Sequence, residues 1–118
     1  MFEHENRRAL VGMAHPDDAE IGCFGTMMRL VQESYDVRLT LVGSGEFGIS
    51  IEDRATLGSA FEKTRRLKES LAAFAGTGVV VESLLLPDGE LRVDRHLITA
   101  IERELKQVSP SVVITHFI

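Results

Sequence analysis

The residues of this chain best suited to chemistry lie in one stretch, Ala14-His15-Pro16-Asp17-Asp18-Ala19-Glu20, where an apolar run ends and a helix-like pattern begins. Pro16 fixes its own φ and disfavours helical geometry at the residue before it. That predicts His15 as the last extended residue and Pro16 as an early residue of the following helix. His15 and Asp18 are three apart across this turn, so an imidazole and a carboxylate can meet at one point, as a divalent metal requires. Asp17 lies between them, placed to handle a water. A catalytic zinc site has three protein ligands and an open position for water, whose pKa the metal lowers to about 7; a nearby carboxylate can then take its proton. Two ligands are visible here. The same acids are accounted for without a metal, because acidic residues after Pro in a first helical turn are favoured by the helix dipole. Spacing alone leaves both readings open.

The stretch continues Ile21-Gly22-Cys23-Phe24-Gly25-Thr26. Taken together, it resembles the opening motif of the PIG-L or LmbE-like superfamily, zinc-dependent N-deacetylases of N-acetylglucosamine conjugates. The resemblance implies that His15 and Asp18 bind zinc and that Asp17 is the general base. It further implies a small N-acetylated sugar or sugar conjugate as substrate. Phe24 departs from the pattern, which commonly has Gly at that position.

Two further matches follow from the same resemblance. Arg66-Leu67-Lys68-Glu69 is similar to an Arg-x-x-Glu pattern whose Arg lies on the substrate side, and Leu86-Pro87-Asp88-Gly89 is similar to a turn that brings its Asp to the substrate cleft. On residue type alone, Arg66 and Glu69 are an ordinary i,i+3 surface pair, and Pro87-Asp88-Gly89 is a standard turn sequence. Cys23 reads as a small buried hydrophobe rather than a ligand.

The supporting elements are legible from periodicity. Ala9-Leu10-Val11-Gly12-Met13 suits a strand buried on both faces, which delivers His15 to its carboxyl end. One packing helix is expected from about Ala19 to Ser34, with Ile21, Phe24, Met28 and Val31 at helical spacing and Met27 and Leu30 widening the stripe. Val37 to Val42 reads as a second strand, and a long helix is expected over about Asp53 to Phe74. A third strand is expected from Val79 to Leu86, interrupted at Glu82-Ser83. Asp94 is a fair N-cap for a helix over about Arg95 to Val108, whose Leu97, Ile98, Ile101, Leu105 and Val108 form one apolar stripe. Val112 to His116 reads as a fourth strand.

This alternation predicts an α/β fold, a Rossmann-like three-layer sandwich with a mostly parallel sheet in the order 3-2-1-4, forming a single domain over residues 1–118. In that order strands 1 and 4 meet at the switch point where open α/β sheets bind ligands, and His15 and His116 end those two strands. His116 is therefore a candidate on the substrate side and a possible stand-in ligand. Relatives continue past the fourth strand into a His-x-Asp-His-like segment carrying another zinc histidine. Nothing in these 118 residues corresponds to it, so the family fold is expected to be truncated here and the site incomplete.

Composition narrows the alternatives. With 44% hydrophobic and 26% charged residues the chain can bury a core, and a net charge of -5 argues against a nucleic-acid binder. The amino terminus lacks a signal-peptide apolar region, and no run approaches the roughly 18 apolar residues of a membrane span. A single cysteine excludes an intramolecular disulfide and points to a reducing, cytoplasmic compartment. Two other function classes stand beside the hydrolase. One is a non-catalytic remnant or binding module that keeps the fold and self-associates through an open edge at strand 4. The other is a nucleotide-binding domain using Gly43-Ser44-Gly45-Glu46-Phe47-Gly48, which spells GxGxxG but follows the second strand rather than the first.

Overall fold

A computed structural model of the chain describes residues 6–43, 67–86 and 94–116. Among the described residues, four strands form one parallel sheet: β1 (Arg8–Met13), β2 (Asp36–Gly43), β3 (Val80–Leu86) and β4 (Val112–Ile114), in the order β3-β2-β1-β4. This is the expected 3-2-1-4 arrangement. Between them lie α1 (Asp18–Gly22), α2 (Phe24–Gln32), helical residues 67–73, and α3 (Arg95–Val108). Among the described residues, no helix is long and apolar enough to cross a membrane.

Side chains alternate across the sheet, and the two faces differ in chemistry. Ala9, Val11 and Met13 of β1, paired with Val37, Leu39 and Leu41 of β2, turn to one face and make the core with Met27, Leu30, Tyr35 and Phe74. Phe24 and Phe74 pack with ring centroids 5.4 Å apart, joining α2 to the end of the next helical segment. The even-numbered residues serve the opposite face. Here Arg38 of β2 pairs with Glu82 of β3 and, at 3.1 Å, with Glu104 of α3, while Thr40 Oγ1 donates to Glu104 Oε2 at 3.1 Å. The third strand is thus continuous through Glu82-Ser83, against the expected interruption. Glu82 lies opposite Thr40 in the ladder and Ser83 opposite Leu41, so a charge on this strand faces a cation instead of breaking the pairing.

The helix expected over 19–34 is two helices. Cys23 has φ −147° and ψ 20°, its N–H donating to Ala19 O at 2.9 Å to close α1, while its carbonyl accepts from Met27 N at 3.0 Å to begin α2. Gly22, a weak helix former, is the last residue of α1. The break turns Ile21 to solvent, 87% exposed, and leaves the fully buried Met27 and Leu30 as the centre of the apolar face. α2 ends in a Schellman motif: Ser34 takes φ 66°, its N–H donates to Val31 O at 3.0 Å, and Tyr35 N–H donates to Leu30 O at 2.9 Å.

α3 begins as expected, with Asp94 Oδ1 accepting from Leu97 N at 2.9 Å. Its apolar stripe is only partly covered, since Ile98, Ile101 and Leu105 are exposed while Glu104 and Val108 are buried. Glu104, not a leucine, anchors this helix to the sheet. The expected helix over 53–66 lies outside the described residues.

Glu104→Ala is expected to lower unfolding stability by about 2 kcal/mol, because Thr40 loses its acceptor and Arg38 keeps only the more exposed Glu82. Glu104→Gln, which retains an acceptor for Thr40, should cost less. Urea denaturation of both variants measures the difference, and equal losses would overturn this account of the anchor.

Candidate functional site

The site is built where β1 stops. The strand ends at Met13, Ala14 and His15 form a bend, and Pro16 and Asp17 a turn, so helix α1 starts at Asp18. Both expectations for this segment are corrected: His15 lies beyond the strand, and Pro16 precedes the helix. The reason is Asp17, which sits at the N-cap in the left-handed region, φ 80° and ψ −21°. Left-handed backbone costs a non-glycine residue roughly 1–2 kcal/mol, Asp and Asn tolerating it best. This conformation turns the chain sharply between His15 and Asp18.

That turn folds Asp18 back onto its own loop. Asp18 Oδ2 accepts the backbone N–H of His15 at 3.0 Å, and Asp18 N–H donates to His15 O at 3.3 Å. His15 Nδ1 stands 3.7 Å from the same Oδ2, and His116 Nε2 stands 3.4 Å from it. The structure therefore brings His15, Asp18 and His116 to one carboxylate oxygen, with Asp17 in the turn between the first two. His116 lies two residues past the end of β4, and its Nε2 accepts the Ala14 N–H at 2.9 Å. Arg66 and Asp88 lie outside the described residues, as do residues 44–48 of the glycine loop; Glu69 is on the helical segment and exposed.

A pocket of about 380 Å³ opens beside these groups, with Met13 and Ile114 from the two strands and Gly22 and Cys23 from the α1–α2 junction next to Asp18 and His116. Cys23, read from the sequence as a small buried hydrophobe rather than a ligand, is only half-buried and stands at the wall of this pocket. Burial, and after it the negative charge of Glu20, push the Cys23 thiol above the ordinary thiol range. A thiol held protonated is a poor metal ligand and a poor nucleophile. Both carboxylate oxygens of Glu20 are buried without a hydrogen-bond partner among the described residues.

An imidazole nitrogen and a carboxylate oxygen suit zinc in donor type. Among the described residues, however, no three His, Cys, Asp or Glu side chains are grouped so as to hold a metal ion. His15 and Asp18 thus fit a metal as two ligands of a larger set.

Residues 10–118 match the family model of PIG-L, GlcNAc-PI de-N-acetylase. No curated protein sequence matches the chain. Among the solved structures similar to it are the following three. The 4-carboxy-2-hydroxymuconate hydratase GalB of Pseudomonas putida is 25% identical with TM-score 0.83, over 93% of this chain and 47% of that one. The N,N'-diacetylchitobiose deacetylase of Pyrococcus horikoshii, solved with an inhibitor, is 26% identical with TM-score 0.81, over 92% and 40%. The conserved protein TT1542 of Thermus thermophilus is 29% identical with TM-score 0.71, over 89% and 44%. The chain spans less than half the length of each of these three structures.

Cys23 should react with iodoacetamide at pH 7 more slowly than a free cysteine peptide, and Glu20→Gln should speed the reaction by removing the charge that disfavours the thiolate. Labelling followed by mass spectrometry checks both, and a rate unchanged by the substitution would count against the role given to Glu20.

Proposed function

The chain belongs to the PIG-L, GlcNAc-PI de-N-acetylase, family over residues 10–118, and from that premise we propose that it is a zinc-dependent N-deacetylase-type hydrolase domain acting on an N-acetylated sugar or sugar conjugate. The observation that carries this reading is the convergence of His15 Nδ1 and Asp18 Oδ2, 3.7 Å apart, on a turn whose sharpest residue is itself an acid, Asp17. His15 and Asp18 would hold the metal. When bound, zinc supplies Lewis acidity at the acetamide carbonyl and lowers the pKa of water. Asp17 accepts the proton of the attacking water and returns it to the departing amine, so that acetate and a free amine result. Asp18 is already fixed by the His15 N–H, which orients one oxygen and limits the reorganisation on metal binding. The lone cysteine suits the reducing cytoplasm.

A second reading has its own observation. Two ligands rarely hold zinc tightly, and β4 is an edge strand among the described residues, pairing only with β1 and leaving Val113 53% exposed. On that basis the chain is a non-catalytic module that keeps the fold and self-associates through β4.

Calorimetric zinc titration of the metal-free protein, with acetate release from N-acetylglucosamine derivatives assayed on the same samples, separates the two. In the hydrolase reading Asp17→Asn keeps zinc affinity and stability, since Asn tolerates the left-handed turn, but lowers acetate release by about 10²-fold or more. Asp18→Ala loses zinc binding. Acetate release unchanged in Asp17→Asn would sink the assignment of the base. In the second reading, light scattering shows concentration-dependent dimers without turnover; a monomer at high concentration would remove it.

A further inference from the structure

We propose that His116 is a positioning residue, which holds the His15–Asp18 corner in register by standing in for a strand that has already ended. The inference rests on the reading of His15 and Asp18 as metal ligands and assigns His116 a part distinct from either.

The β1–β4 ladder ends at Val11 opposite Ile114. Ala14 lies three residues past that pair, where β4 offers its N–H no backbone acceptor. His116 Nε2 takes this N–H at 2.9 Å, continuing the ladder with a side chain. On its other side, Ala14 O accepts from Gly43 N–H of β2 at 2.6 Å. Both peptide groups of Ala14 are therefore tied, one to each neighbouring strand, and the next residue is His15, whose N–H binds Asp18 Oδ2 at 3.0 Å. A continuous chain of contacts runs from the end of β4, through Ala14 and His15, to the carboxylate that would bind metal.

The same geometry separates His116 from the ligands. A neutral imidazole has one in-plane lone pair on its unprotonated nitrogen. At Nε2 that lone pair is taken by Ala14, which places the ring proton on Nδ1 and leaves Nε2 without a lone pair for a metal. The 3.4 Å approach of Nε2 to Asp18 Oδ2 then carries no hydrogen bond, and His116 acts on Asp18 through Ala14 and His15. Partners that orient first ligands in this way affect metal affinity strongly although they never touch the ion.

His116 is exposed, so its replacement leaves the core intact. The test uses His116→Ala, His116→Gln and His116→Asn, with two readouts: zinc affinity of the metal-free chain by calorimetry, and exchange of the Ala14 amide by NMR. Gln carries an oxygen acceptor at the reach of Nε2, whereas Asn reaches only as far as Nδ1. The expected result is a loss of zinc affinity of about 10–100-fold in His116→Ala, faster Ala14 exchange, restoration of both by Gln, and none by Asn. Zinc affinity unchanged in His116→Ala would overturn the proposal. So would equal loss in Ala and Gln with Ala14 still protected in Gln, because His116 would then be a ligand. If the wild-type chain binds no zinc, the metal reading falls by itself. Ala14 exchange then decides the present one, acceleration in Ala with rescue by Gln supporting the clamp and unchanged exchange removing it.

Discussion

The structure depends on β1 being paired on both sides. A strand with parallel neighbours at both edges, β2 through Arg8–Met13 and β4 through Ala9–Val11, has its backbone polar groups satisfied within the sheet, and its side chains must then be apolar on both faces. Ala9, Leu10, Val11 and Met13 meet that demand and are buried. From this central strand the chain crosses to β2 and β3 on one side and returns to β4 on the other. Right-handed crossovers in opposite directions place their helices on opposite faces. α1, α2 and Phe74 accordingly share the face with Val11 and Leu39, while α3 lies against Arg38 and Thr40. The crevice between β1 and β4 follows from this change of direction.

The two faces are held by different forces. On one, Met27, Leu30 and Leu39 are fully buried and the hydrophobic effect suffices. On the other, a buried glutamate of α3 meets an arginine and a threonine of β2, so docking is set by direction and charge rather than by area. Paired charges of this kind contribute little net stability over apolar packing but penalise a shifted helix strongly, because a shift leaves them unpaired.

At the crevice the chain accepts local strain. Asp17 in the left-handed region is an observed outlier within the motif, and such residues persist only where neighbouring contacts over-determine them. Here the neighbours are visible: Asp18 bonds back to His15, Ile21 N–H donates to Asp17 O at 3.0 Å, and Ala14 is tied to Gly43 and His116. A glycine would relax the turn but carry no carboxylate. The acid at the strained position is intelligible if the carboxylate is needed there.

Much of this was determined by the sequence alone. The apolar run of β1, the strand-like stretch from Val37 to Val42, the Asp94 cap and the alternation of strand and helix specify a parallel sheet in a 3-2-1-4 order, because each is a local pattern with few alternatives. The motif from His15 to Asp18 was legible for the same reason, its residues being neighbours in the chain. What only the tertiary structure decided depends on contacts far apart in sequence. Glu82 could not be read as part of a continuous strand without Arg38 beside it, nor Glu104 as an anchor without Thr40, 64 residues away. The left-handed Asp17 is a backbone choice that propensity disfavours and that the contacts of its neighbours hold. His116 stood in the sequence as the last residue of an expected strand, whereas it lies two residues past β4; its bond to Ala14, 102 residues distant, exists only because the sheet places β4 next to β1.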